Sequence, residues 1–167
     1  MEVFVTSDTF FGRQLAATNG GFSSLEEMED TIIENWNERV KRNDVVYHLG
    51  NFSWDPISGE SALSALNGKI FFVGGSYDKH LSENSLVKIG RHTLLPPISE
   101  VPKLNTIFSH WPLADWENRS EGAIHVHGGK KPDERIEARF CANISNWNWN
   151  PIEIAFLKEL MENVNKP

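Results

Sequence analysis

The chain has 167 residues, a formal net charge of −7 and one cysteine. That length suits a single domain over residues 1–167, which can bury roughly two-thirds of the surface of its unfolded chain. The acidic balance disfavours non-specific nucleic-acid binding, which relies on Lys and Arg neutralising phosphates. Cys141 has no intrachain partner, no signal peptide is recognised and no run approaches a membrane span, so a cytoplasmic setting without a membrane partner is expected.

Val3, Phe4 and Val5 read as a buried strand, and Asp8 follows just past its end, where open α/β sheets carry ligand-binding or catalytic groups. Leu25, Met28, Ile32, Trp36 and Val40 recur at helical spacing and predict a helix, with Ser23 and Glu26 or Ser24 and Glu27 as its capping box. "VVYHLGNF" predicts a strand running into a loop at Gly50, and "SALSALNGK" a short helix stopped at Asn67-Gly68. "KIFFVGGSYD" repeats the pattern of apolar strand, glycine loop and acid. The segment from Leu86 to Pro102 reads as short edge structure and loop, because Pro96, Pro97 and Pro102 interrupt it.

"LNTIFSHWPL" gives a further strand ending at His110, and "GAIHVHGG" another. "EARFCANIS" is expected to be a strand, alternating Phe140, Ala142 and Ile144 with more polar neighbours. A last helix is expected from Asn150-Pro151, with Asn150 as cap, Pro151 in the first position, and a buried stripe of Ile154, Leu157, Leu160, Met161 and Val164. The strand ends thus present Asp8, Asn51, Ser76-Tyr77-Asp78, His110 and the segment His125 to Lys131. A fold that gathers strand ends on one rim brings these groups together.

Read as "SDTFFG", "HLGNF", "GGSYDK", "SHWPL" and "HVHGGKK", these loops resemble the motifs of the calcineurin-like metallophosphoesterases, particularly their compact bacterial and phage-type members. The family's signatures are Asp-x-His, Gly-Asp, Gly-Asn-His-Asp, a single His and Gly-His-x-His, in that order. The resemblance implies an α/β sandwich of two mixed sheets flanked by helices. It also shows a degenerate site. Asp8 and His110 match, but Phe10 stands at a histidine position, Asn51 at the bridging aspartate, Ser76 at the ligand asparagine, and Tyr77 at the catalytic histidine; Gly129 and Lys131 stand at the last two histidines.

A two-metal site needs carboxylates to offset the repulsion between its cations. Asn51 removes the shared negative charge and Lys131 reverses the sign of an interaction. No cofactor and no catalytic residue are therefore expected, and the resemblance implies a pseudoenzyme that acts by binding, to a protein partner or, as a phage-encoded product in host cytoplasm, to a host factor. One alternative is a phosphodiesterase with a single Zn or Mn ion on Asp8, Asn51, His110 and His127. Another is a nucleotide-binding module. An ion pair between Asp8 and Lys131 is expected to replace the metals. Phe10 and Tyr77 are expected to block the cleft. Lys130 and Lys131 are candidate phosphate contacts, and Trp54 and Trp116 candidate anchors for a protein partner.

Overall fold

The computed structural model describes residues 1–81, 92–130 and 136–164, with side chains described as far as residue 162. It is a mixed α/β structure with two sheets. Strands β1 (Val3–Thr6), β2 (Val45–His48), β3 (Lys69–Val73), β4 (His92–Leu95) and β9 (Ile152–Glu153) form the first, in the order β4-β3-β2-β1-β9. Its strands run parallel except β9, which pairs antiparallel with β1 through Phe4 and Glu153, and Val5 and Ile152. The second sheet has the order β5-β6-β7-β8, from Ile98–Val101, Thr106–Ser109, Ile124–His127 and Arg139–Cys141. Here β5 is antiparallel to β6, and the remaining pairs are parallel.

Period-two alternation along β1 sends Phe4 and Val5 to opposite faces. Phe4 joins Val46, Ile70 and Phe72 in a core covered by helix α2 (Leu25–Arg39), which contributes Met28, Ile32 and Trp36, all fully buried. Val5 joins Leu49, Val73, Phe108, Ile124 and Val126, residues of both sheets, in a second core. The sheets therefore pack face to face. Ile154 and Leu157 of helix α4 (Ile154–Val164) complete this layer. A smaller cluster of Ile107, Trp116 and Ala123 also takes in the outward side of β6.

The capping pattern of α2 is the one expected from Ser24 and Glu27, with a variation. Ser24 Oγ accepts the Glu27 amide at 3.0 Å, while the Glu27 carboxylate turns to the amide and hydroxyl of Ser23. Helix α3 (Pro56–Ala65) begins well before the expected segment, because Asp55 caps it through the Ser58 amide and Pro56 occupies its first turn. Helix α1 (Gln14–Gly20) was not expected: of its residues only Ala17 is buried, and no side chain caps its start.

Two expectations at the C-terminal end are corrected. Strand β8 stops at Cys141, and Ile144 opens a 3-10 turn over Ile144–Trp147 rather than extending the strand. The last helix starts at Ile154 instead of Pro151, because the backbone of Ile152 and Glu153 is used to extend the sheet beside β1. The Val164 side chain of the expected stripe lies outside the described residues.

Three buried histidines belong to this packing. His48 of β2 donates from Nε2 to the Thr9 hydroxyl at 3.0 Å and packs against Phe52 and Phe72. His125 and His127 of β7 lie ring to ring at 5.7 Å. Burial pushes His48 down to about 3 and His125 to about 4, and lowers His127 as well. These rings stay neutral in the fold while the unfolded chain protonates near the ordinary imidazole value. Their contribution is complete above that value and is lost as pH falls towards the folded-state values, at about 1.4 kcal/mol per pH unit for each ring. Asp8, raised by burial, acts in the opposite direction above its ordinary value. Urea titrations at pH 7 and pH 5 are expected to show a lower unfolding free energy at pH 5, with the difference reduced in His48→Phe.

Candidate functional site

The C-terminal ends of β1, β2, β3, β6 and β7 open on one rim, and the loop after β1 is stitched to the loop after β2 beyond the last strand pair. Asp8 donates its amide to Gly50 O, Phe10 to Asn51 O, and Phe11 to Phe52 O, at 2.9, 3.0 and 3.0 Å. This ladder puts Asp8, Phe10 and Asn51 in left-handed backbone, with φ of 60°, 49° and 57°. Left-handed geometry costs a side-chain-bearing residue roughly 1–2 kcal/mol. Asn and Asp tolerate it best, whereas a bulky residue such as Phe10 is a strained exception.

Asp8 is 6% exposed, and its carboxylate receives three donors. Asn51 Nδ2 donates to Oδ1 at 2.8 Å; the Ser7 hydroxyl and the Gly129 amide donate to Oδ2 at 2.6 and 2.7 Å. Burial raises the Asp8 pKa above the usual carboxylate value, against the lowering effect of the three donors and of His110. All three donors are neutral. Lys131, expected to pair with Asp8, lies outside the described residues.

Asn51 is fixed from both ends. Its Oδ1 accepts the Tyr77 amide at 3.3 Å, which aims Nδ2 at Asp8 and leaves it 3.5 Å from His110 Nε2. His110 Nδ1 lies 2.7 Å from the carbonyl of Leu49, which can only accept, so Nδ1 carries the proton and Nε2 presents its lone pair to the cluster. Glycine permits this closeness: a Cβ on Gly50, whose φ is +100°, would collide with His110 Nδ1 and Gly75, and one on Gly128 would collide with Leu49 O. Asp78 ties the third loop in. Its carboxylate accepts the amides of Asn51, Phe52 and Gly75 at 2.5, 2.8 and 2.8 Å. Asp78 is a loop clamp that the sequence offered merely as the acid after a glycine loop.

The remaining candidates sort by position. Ser76 is exposed, away from the carboxylate cluster's hydrogen bonds, and Lys130 is exposed next to Gly129. His127 donates from Nδ1 to Gly128 O at 2.7 Å and has no hydrogen bond to Asp8 or Asn51. His125 is fully occupied, with Nδ1 facing Ile107 O and Nε2 accepting the Leu113 amide. Trp116 is buried, donating to Ala123 O at 2.8 Å, so of the two tryptophan anchors only Trp54 is exposed. Among the described residues no group of three or more His, Cys, Asp or Glu is placed to hold a metal ion.

Arg13 is the group that sequence reasoning passed over. Its guanidinium carbon lies 4.8 Å from the Phe10 ring, 4.7 Å from Trp54 and 4.8 Å from Tyr77. The rings also meet one another, Phe10 edge-on to Tyr77 at 5.7 Å and Tyr77 beside Trp54 at 5.2 Å. Three aromatic rings thus surround a cation contributed by the same loop as Asp8. The available signal was a lone Arg immediately after the Phe-Phe-Gly turn.

No protein-family profile matches the chain. It is 37% identical over 83 residues to the uncharacterized protein MJ1445 of Methanocaldococcus jannaschii, a match covering 47% of each chain, so it spans about half the length of that relative. Its fold is similar to the crystal structure of AQ665, a protein of unknown function from Aquifex aeolicus, with a TM-score of 0.68 and 20% identity, over 95% of this chain and 98% of that one. No helix among the described residues is long and apolar enough to cross a membrane.

Proposed function

We propose that the chain is a calcineurin-like metallophosphoesterase homologue whose metal site has closed on itself, and that it works as a pseudoenzyme by binding a protein partner. The observation carrying this reading is the Asn51 amide against Asp8. Where the family has a carboxylate bridging two cations, an N–H group occupies one carboxylate oxygen at 2.8 Å, while Gly129 and Ser7 occupy the other. Asp8 is thereby satisfied by neutral donors, and a cation approaching it would have to displace them. Phosphate ester hydrolysis in that family depends on metal-activated water, and Tyr77 replaces the histidine beside it. The exposed residues beside the site, Trp54, Tyr77 and Trp111, are of the kind that anchor protein interfaces. A phage-encoded modulator of a host factor fits this description, with the host cytoplasm as its setting.

A second reading has one specific observation in its favour. His110 holds the tautomer of a metal-bound histidine, with Nδ1–H on a backbone carbonyl and Nε2 3.5 Å from the Asn51 amide that bonds Asp8. A single Zn²⁺ or Mn²⁺ on Asp8, His110 and the Asn51 amide oxygen would give a reduced phosphodiesterase, provided the amide turns over and the Ser7 and Gly129 bonds yield.

Equilibrium dialysis with Zn²⁺ or Mn²⁺, followed by elemental analysis, is expected to leave well under one ion per chain, with no turnover of a generic phosphodiester. Stoichiometric metal together with turnover abolished by Asp8→Ala or His110→Ala would establish the enzyme instead. Asn51→Asp is expected to destabilise the metal-free protein by about 3 kcal/mol at neutral pH, since it removes a donor and sets a second carboxylate against a buried one. Added Zn²⁺ is expected to raise the melting temperature of this variant and not that of the native chain.

A further inference from the structure

Deepening the proposed binding role, we infer that Arg13, held among Phe10, Trp54 and Tyr77, is an oxyanion clamp for a carboxylate or phosphate carried on a flat, apolar group. The guanidinium is within cation–π range of three rings at 4.7–4.8 Å. Its planar fork of N–H donors has no hydrogen-bond or ion-pair partner among the described residues. Carboxylates are close at hand but engaged: Glu29 accepts the Gly12 amide at 2.6 Å, and Asp55, whose Oδ2 a Cβ on Gly12 would meet at 2.5 Å, binds the amide and hydroxyl of Ser58.

The guanidinium is therefore held by the rings while its donors are left for an outside acceptor. A guanidinium fork matches carboxylate and phosphate oxygens in pairs, and stacking on rings removes part of the side-chain entropy that binding would otherwise cost. Trp54 is 48% exposed and Tyr77 40% exposed, so two of the walls offer area to a flat group attached to the anion. Such a group gains stacking as well as the charged contact. The third ring, Phe10, contacts both Arg13 and Tyr77.

Small probes test this with the native chain. The Trp54 Nε1–H and Arg13 Nε–H resonances are followed in ¹⁵N-correlated spectra during titration with benzoate, phenyl phosphate, acetate, inorganic phosphate and neutral benzamide. Benzoate or phenyl phosphate is expected to shift both resonances saturably, and benzamide to bind at least about tenfold more weakly. Arg13→Lys keeps the charge but not the fork, and is expected to weaken the aromatic anion by about tenfold or more while the melting temperature stays close to native. A preference for benzoate identifies a carboxylate on an aromatic group as the ligand, and one for phenyl phosphate identifies an aryl phosphate ester. Benzamide binding as tightly as benzoate, an unaltered affinity in Arg13→Lys, or no saturable shift with any probe overturns the clamp. Those results leave the closed metal site standing, whereas metal uptake with turnover removes that reading whatever Arg13 binds.

Discussion

The structure turns on one buried carboxylate. Asp8 sits where the loops after β1, β2 and β7 converge, and an ionised group at that depth is tolerated only if its oxygens are filled by donors. Hydrogen bonds to a charged group contribute about 1.5–3 kcal/mol each. Each donor comes from a different part of the chain, so satisfying Asp8 also fixes the loops that supply them. The left-handed backbone at Asp8 and Asn51, and the glycines at Gly50, Gly128 and Gly129, follow from that convergence. A cation could perform the same service from the centre of the site. Here amide and hydroxyl dipoles do so from its sides.

Asp78 secures the rim separately from this carboxylate. By taking the amides of Asn51, Phe52 and Gly75, it holds the third loop against the second independently of anything at Asp8. The rim is thus held by hydrogen bonds to backbone amides, which do not depend on the side chain at Asn51. Asn51 suits its place beside Asp8. An amide is nearly the size and shape of a carboxylate, but its nitrogen side offers protons, so it meets Asp8 with a hydrogen bond where a carboxylate would repel it.

Strands β1, β2, β3, β6 and β7 were legible because they are apolar runs that end at glycine or at a polar residue, as "VVYHLG" and "KIFFVGG" do, whereas β4 lies in the segment read as edge structure and loop. Helix α2 was legible from Met28, Ile32 and Trp36, which are all fully buried. Helix α1 was not, because QLAATNG buries one small residue and its start carries no cap. The end of the chain misled for a different reason: Asn-Pro-x-Glu is a sound local signal for a helix start, but sheet pairing of Ile152 and Glu153 with β1 is a long-range contact that no local pattern encodes. At the site, the residue types at the strand ends were readable from the sequence. The contacts they make, Gly129 through its backbone and Arg13 with its rings, depend on distances between segments far apart in sequence.

Placement of charge separates the two halves of the site. The interior cluster of Asp8, Asn51 and His110 contains one carboxylate answered by neutral donors, so it exerts little attraction on an incoming ion beyond its own loops. The positive charge of the same loop, Arg13, is held among Phe10, Trp54 and Tyr77, whose rings stabilise a cation without neutralising it. A carboxylate in place of any of these rings would have quenched the guanidinium. In a chain of net charge −7, a cation held among aromatic rings is a local exception to the surrounding field. The clamp proposed for Arg13 would draw its specificity from that contrast, since the net charge repels anionic molecules at long range and the rings offer contact to one that carries its charge on a flat group.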